Sequence, residues 1–441
     1  MNVFRLAPLS LALSTALVAP VFAQNLQSLY DSARSYDAAY QSAKAQSEAY
    51  LAQAEGARSN LLPTVNLGAT ASNGQVNIID SNPAQNNRNF TNAGATINAS
   101  HPLYRPINVA LYEQGKKQAE LAPFVLLAAE QDLIVRTSQA YFDVLGAQDT
   151  LTFVQAQKAA VAEQLASAKR NFEVGTATIT DTREAQARFD LVIAQEIAAD
   201  NDLRVKKLAL DQLVGKTDTA PSPLATTALP ALIPADVNPW VQQALDTHPS
   251  LKQLKVVNEV AQLEVQKAQA GHKPTLDLTA SLGYSDNSNG TAVSSASSRS
   301  STGVLGLSFN LPLFSGFSTQ NRIKETLALE EKTRADLEAA RRNVSQLTRA
   351  AYFTVVSGLG QTKAFEAAEA SSQSALDANK LGYQVGVRIN IDVLNSQSQL
   401  FQTKRDLAKA RYDVLVGGLK LRQANGTLKP EDLQSVNALL K

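Results

Sequence analysis

Two aspartates stand at matching places in the sequence, each shortly after a valine-glycine pair. Asp181 follows Val174 and Gly175, and Asp392 follows the second such pair in the same way. A carboxylate there can accept charge-assisted hydrogen bonds, attract cations, or cap a helix, since Asp is favoured where helices begin. None of these roles is catalytic, and an internal duplication explains the matched acids better than a catalytic pair would.

Side chains suited to enzymatic chemistry are sparse elsewhere. The histidines, His101, His248 and His272, have no second histidine or acidic partner at ligand spacing, and there is no cysteine. These facts argue against a metal site, disulfides and thiol chemistry. We find no phosphate-binding glycine loop and no nucleophile elbow. The sequence predicts a protein that is not an enzyme and requires no cofactor.

Composition and charge favour long helices. The 441 residues are only 6% aromatic, and Ala, Gln, Leu and Ser dominate long stretches, which is typical of extended helix. Lys and Arg number 41 against 40 Asp and Glu, so the overall charge predicts no nucleic-acid partner.

The chain begins with an export signal. Residues 1–23 carry Arg5, an apolar run and a small-residue site, which predicts cleavage after Ala23. A membrane anchor is the alternative, but the run is shorter than the roughly 20 residues that a spanning helix needs. No later stretch is apolar enough to span a bilayer as a helix, so any crossing must use strands.

The sequence repeats itself at an offset of 211 residues, with one slip of a single residue. Matches include Pro63-Thr64 with Pro274-Thr275 and Ala140-Tyr141-Phe142 with Ala351-Tyr352-Phe353. We divide the chain into a first repeat, a proline-rich joining segment, a second repeat and a tail: residues 24–214, 215–238, 239–424 and 425–441. The joining segment is either a plain linker or a small capping element. The duplication itself fits a helical rod or a channel wall.

Each repeat contains two segments in which apolar and polar residues alternate, as in a strand with one wet and one dry face. They cover residues 65–72, 93–100, 276–284 and 305–311. A soluble sandwich would alternate in the same way. Small polar loops at 73–92 and 285–301 favour a membrane barrel instead.

Four prolines are predicted to mark where strand gives way to helix: Pro63, Pro102, Pro274 and Pro312. Four strands cannot close a membrane barrel, so the chain must oligomerise, as two, three or four copies.

Long helices are predicted around these strands, because apolar residues recur at steps of three and four. The helices cover residues 26–60, 107–172, 181–214, 237–270, 320–380 and 392–424. We expect the second of them, roughly 100 Å in length, to break near Pro123.

Six segments together closely resemble the TolC family of outer-membrane export ducts. They are NFEVGTATITD at 171–181, GHKPTLDLTASLGYSD at 271–286, GVLGLSFNLPLF at 303–314, LGYQVGVRINIDVLN at 381–395, LAKARYDVLVGGLKL at 407–421 and NGTLKPEDL at 425–433. The resemblance covers essentially the whole mature chain.

The resemblance implies a mixed α/β membrane protein. It would be a homotrimer whose twelve strands form one β-barrel in outer-membrane lipid, continued by a periplasmic α-barrel that tapers to a closed inner end. A periplasmic adaptor and an inner-membrane transporter would be its partners in a tripartite efflux pump or a type I secretion system. A structural or receptor protein of the outer membrane without a transport role is the alternative.

The resemblance also assigns a periplasmic gate. Arg388 would donate to Thr180 and Asp181, and Tyr383 would donate to Asp181. The alternative is that these residues only form turns and helix caps.

Two further sites follow from the same resemblance. The family places two rings of Asp on the pore-lining helix; this chain has Asp392 at the first and Asn395 at the second. Adaptor hairpins would dock at the two turns formed by Val174-Gly175 and Val385-Gly386. The alternative for the turns is that each glycine simply ends the preceding helix.

Overall fold

The structure, a computed structural model, describes residues 24–77, 88–226 and 228–440. The predicted signal peptide, 1–23, lies outside the described residues, as does the part of the first strand loop at 78–87.

All four predicted strands are present, and each is longer than its alternating segment. They are β1 Thr64–Val76, β2 Arg88–Tyr104, β3 Thr275–Ser288 and β4 Ser298–Asn310. They form one antiparallel sheet in the order β1-β2-β3-β4, so the hairpins of the two repeats join through β2 and β3. Leu67 pairs with Ile97, and Ile97 with Leu282, which keeps the apolar side chains of neighbouring strands on one face.

Three of the four prolines stand at strand ends as predicted, but the prediction for Pro102 is wrong. Strand β2 continues past it to Tyr104, because the register shifts between Pro102 and Tyr104. A bulge leaves one residue unpaired in the ladder, and Pro is tolerated there. Immediately beyond, Arg105 forms a bidentate ion pair with buried Asp277, with Nε and Nη2 each 2.7 Å from a carboxylate oxygen. The bulged end of β2 is thereby fixed to β3.

The helices are numbered in chain order, and two of them are very long. They are α1 Leu26–Tyr36, α2 Ala38–Ser59, α3 Pro106–Ala119, α4 Leu121–Glu173, α5 Ile179–Val214, α6 Val237–Thr247, α7 Pro249–Ala270, α8 Ser318–Gln384, α9 Asn390–Ala424 and α10 Asp432–Asn437. None of the helices in the described ranges is both long and apolar enough to cross a lipid bilayer.

Three predicted helices are each divided in two. The break expected near Pro123 is present, but it lies at Glu120. Pro123 occupies the first turn of α4, where a backbone N–H has no partner within the helix and its absence costs little. The other breaks lie at Asp37, whose carboxylate caps α2, and at His248, which caps α7.

The largest apolar core lies midway along the long helices. Tyr141 and Phe142 of α4 pack there with α1, with α9 and with the C-terminal segment. The joining segment belongs to this region, because Pro221 bridges to Gln24 and the Tyr141 hydroxyl donates to the Ser222 carbonyl at 2.8 Å. Its part around Pro221 and Ser222 is therefore packed against the long helices.

Candidate functional site

The candidate site is the pair of tips at which the long helices turn back on themselves. Helix α4 turns into α5 through Val174 and Gly175, and α8 turns into α9 through Val385 and Gly386. Both glycines adopt a left-handed backbone with φ of +80°. Open space surrounds the position of a Cβ at each, so the backbone conformation, and not crowding, requires glycine.

The two turns close with the same pair of backbone hydrogen bonds. In the first, the N–H of Gly175 donates to Phe172 and that of Thr176 donates to Asn171, at 3.0 and 2.8 Å. The second repeats the pattern, from Gly386 to Tyr383 and from Val387 to Gly382, at 3.2 and 2.9 Å. This is a Schellman motif, so each glycine ends the helix that precedes it.

The tips also expose apolar side chains. Val174 is 72% exposed and Val385 65% exposed, and Val387 beside it is more exposed still. Exposed valines at a turn are free to contact a partner. Docking of an adaptor at these turns stays a prediction.

Asp181 takes part in a helix cap. Thr178 precedes α5, and its hydroxyl accepts from the Asp181 N–H at 3.3 Å, while the Asp181 carboxylate accepts from the Thr178 N–H at 2.9 Å. This reciprocal pair is a capping box. The helix therefore begins at Ile179, two residues before the predicted start, and Thr180 lies exposed in its first turn.

Within a single chain, Tyr383 and Arg388 have partners other than Asp181. The Tyr383 hydroxyl accepts from Asn171 Nδ2 at 3.2 Å, and Arg388 Nη1 lies 3.7 Å from the Asp392 carboxylate. Asp181, Tyr383 and Arg388 nevertheless line one groove of 860 Å³ between the two tips. The gate contacts stay a prediction, and a single chain does not form them.

The two residues predicted to line the pore, Asp392 and Asn395, lie on the first turns of α9. Asp392 is one-third exposed, with Arg388 as its ionic partner. Asn395 is exposed, and its Oδ1 accepts from Arg188 Nη2 of α5 at 2.8 Å. Whether they line a constriction stays a prediction.

Asn390 was not singled out from the sequence, yet it joins three helices at the tip. It is the first residue of α9 and is fully buried. Its Oδ1 accepts from Gln164 Nε2 of α4 at 2.5 Å, and its Nδ2 donates to the Asp181 carbonyl of α5 at 3.2 Å. The helix predicted from the sequence began at Asp392, so Asn390 lay outside it, whereas α9 begins at Asn390.

Across the described ranges, no group of three or more His, Asp or Glu side chains is placed to hold a metal ion.

Comparison with known proteins gives a consistent result. The sequence matches the family described as "Outer membrane efflux protein" twice, over residues 29–216 and 240–427, which repeats the offset of 211 found by self-comparison. It is 36% identical over 440 residues to the outer membrane protein TolC of Vibrio cholerae, covering 99% of both chains. It is 32% identical over 355 residues to the alkaline protease secretion protein AprF of Pseudomonas aeruginosa, covering 80% of this chain and 73% of that one.

A solved structure has the same fold. The Campylobacter jejuni CmeC outer membrane channel superposes with a TM-score of 0.80 at 18% identity, covering 95% of this chain and 90% of that one. The double family match and the full-length likeness to TolC together show that this chain belongs to the outer membrane efflux protein family.

Proposed function

We propose that this protein is the outer-membrane exit duct of a tripartite efflux pump or a type I secretion system, and that it is not an enzyme. It works as a passive trimeric channel, held in the outer membrane and extending into the periplasm. A periplasmic adaptor and an inner-membrane transporter open its inner end. The full-length likeness to V. cholerae TolC and the likeness to the secretion protein AprF support this assignment.

The observation that carries the proposal is an incomplete sheet with an exposed apolar face. In the sheet order, β1 and β4 lie at the edges, each hydrogen-bonded to one neighbouring strand. On the apolar face Leu67 is 74% exposed and Leu305 75% exposed. Exposed side chains of this kind suit lipid, but open backbone edges in lipid would cost several kcal/mol per unpaired group. Further copies of the chain must therefore close the sheet.

The opposite face of the sheet is suited to a water-filled interior. Thr70 and Thr96 stand on that face of β1 and β2, and Ser281 and Ser308 continue it on β3 and β4. Alternation of lipid-facing apolar residues with lumen-facing polar residues is the pattern of membrane barrels. Three copies would give twelve strands, the number that the family resemblance implies.

The helix tips would be the regulated end of the duct. Their exposed valines suit docking of an apolar adaptor surface. Because Arg388 and Tyr383 do not reach Thr180 or Asp181 within one chain, we propose that the gate contacts form between neighbouring copies. Asp181 and Arg388 both line the groove between the tips, which is where a neighbouring copy would have to bring its own side chains.

Reconstitution tests the proposal. Purified protein should crosslink as a trimer and form ion-conducting channels in planar lipid bilayers. A structural or receptor protein without a transport role would give no channels. Purification together with crosslinked partners should recover an adaptor and an inner-membrane transporter. The class of that transporter would indicate which kind of cargo the duct carries.

A further inference from the structure

We infer that Asn390 is a positioning residue of the periplasmic gate, which ties the second helix hairpin to the first and so sets the position of Asp181 relative to α9. The inference rests on the proposed function, because it concerns how the duct's inner end is held.

The geometry at Asn390 is that of a three-helix junction. The side chain is fully buried and uses both ends of its amide, accepting from Gln164 of α4 and donating to the main chain of Asp181 in α5. Buried amides keep their hydrogen bonds, because an unpaired amide away from water is unfavourable. The tip therefore favours arrangements in which α9 stays against both α4 and α5.

The two repeats differ at this position, which separates the role of Asn390 from helix capping. At the offset of 211, Asn390 corresponds to Ile179, an exposed residue at the start of α5. Helix α5 is capped by the box of Thr178 and Asp181, whereas Ile389, the residue before α9, makes no side-chain cap. The Asn390 amide is thus directed to the other hairpin and not to its own helix.

Neighbouring residues of α9 extend the same contact. Leu394, one turn on, is fully buried in the apolar cluster of α4 and α5 that includes Leu165 and Ala185. Asn395 accepts from Arg188. Asn390 is the member of this row nearest the turn at 385–389, so it is the contact of α9 with the first hairpin that lies closest to that turn.

Movement of α9 consequently changes its position relative to Asp181. Displacing the start of α9 breaks both amide hydrogen bonds at once and separates α9 from the Asp181 main chain, while the Asp181 side chain stays bonded to Thr178. A switch of this kind has two discrete arrangements, one with the bonds formed and one without them.

A distance measurement between the tips tests the inference. The natural chain has no cysteine, so Val174→Cys and Val385→Cys, both at exposed positions, allow spin labels on the two tips of one chain. Labelled chains are mixed with an excess of unlabelled chains, so that most labelled trimers contain one labelled chain. The measured distance is then the distance between the two tips of that chain. We expect one narrow distance in the parent. Asn390→Ala should raise the displaced population by about fivefold for each hydrogen bond lost.

Three variants separate positioning from a general loss of structure. Gln164→Met removes only the hydrogen bond from Gln164 to Asn390 and leaves the sequence of α9 unchanged, so it should broaden the distance less than Asn390→Ala does. If Asn390→Ala fails to assemble, Gln164→Met alone tests the inference. Asn379→Ala is the control, because Asn379 Nδ2 donates to Ser396 Oγ at 2.6 Å within the α8–α9 hairpin. It should leave the distance unchanged. The exchange of Gln164→Asn with Asn390→Gln keeps an amide pair and should restore the narrow distance.

Two results would overturn the inference: an unaltered distance in both Asn390→Ala and Gln164→Met, or equal broadening in Asn379→Ala. The label distance does not depend on conduction. If the parent protein forms no channels, the proposed function is contradicted, but the distances between the labels can still be measured and interpreted.

Discussion

Tyr383 of the second hairpin and Asn171 of the first meet across the groove between the tips, with Asn171 Nδ2 donating to the Tyr383 hydroxyl at 3.2 Å. The contact joins the last turns of α4 and α8, the two helices that end in matched glycine turns. Both hairpins are thus tied by an uncharged hydrogen bond within one chain, while Arg388 beside it pairs with Asp392 of its own hairpin.

Removing the gate side chains should open the duct. The double variant Arg388→Ala with Tyr383→Phe loses the bond from Asn171 and the proposed charged contacts to Thr180 and Asp181. Charged hydrogen bonds contribute roughly 1.5–3 kcal/mol each, so the closed population should fall. Single-channel conductance in bilayers should rise. Unchanged conductance would leave only the capping role of Asp181.

Charges on the two faces of the sheet should have opposite consequences. Leu278→Arg and Leu307→Arg put a charge on the apolar face, which should cost about 2–4 kcal/mol at mid-membrane and deplete assembled protein. Ser281→Arg and Ser308→Arg on the polar face are the matched controls and should assemble. Quantifying trimer in outer-membrane fractions gives the comparison, and equal assembly of all four variants would rule out the lipid-facing assignment.

Trivalent cations should block the duct only weakly. Each trimer would present one ring of Asp392 carboxylates, and the Asn395 ring one turn on is uncharged. Because Arg188 donates to Asn395, a new carboxylate there would be partly neutralised. We therefore expect Asn395→Asp to strengthen block from the periplasmic side, and more so together with Arg188→Gln. Asp392→Asn should weaken it. If neither Asn395→Asp nor Asp392→Asn changes the block by trivalent cations, neither residue lines the constriction.

Acid should destabilise the helices next to the sheet through Glu264 of α7. Burial alone would raise the pKa of this carboxyl, but hydrogen bonds from Lys267, Gln114 and Arg322 outweigh it and lower the pKa to about 2 from 4.5. A lowered pKa in the folded state contributes stability that is complete above pH 4.5 and is lost as the pH falls toward 2. Thermal unfolding across this range should show the loss. Glu264→Gln should flatten the profile, and an equally steep profile in that variant would assign the acid sensitivity elsewhere.

The strands and turns were predictable because local sequence determines them. Alternation fixes which side chains of β1 to β4 share a face, and a glycine with positive φ marks each tip. The end of β2 was misplaced at Pro102 because a bulge, which depends on pairing with β3, accommodates the proline.

The tip contacts were less predictable, because they depend on packing between distant segments. Asp is favoured where helices begin, so Asp392 predicted the start of the helix. Helix α9 instead begins at Asn390, after Ile389, and Ile is a poor N-cap residue. Asn390 is buried where it contacts Gln164 of α4 and Asp181 of α5, both more than 200 residues earlier in the chain. Local pattern carries no information on such a contact.

Conductance of the purified protein in planar lipid bilayers tests the central claim most directly. The account predicts that trimers, identified by crosslinking before reconstitution, insert and give discrete ion-conducting steps, and that Leu307→Arg protein, which should not assemble, gives none. Trimers that insert without conducting ions, or a conducting species that is monomeric, would contradict it.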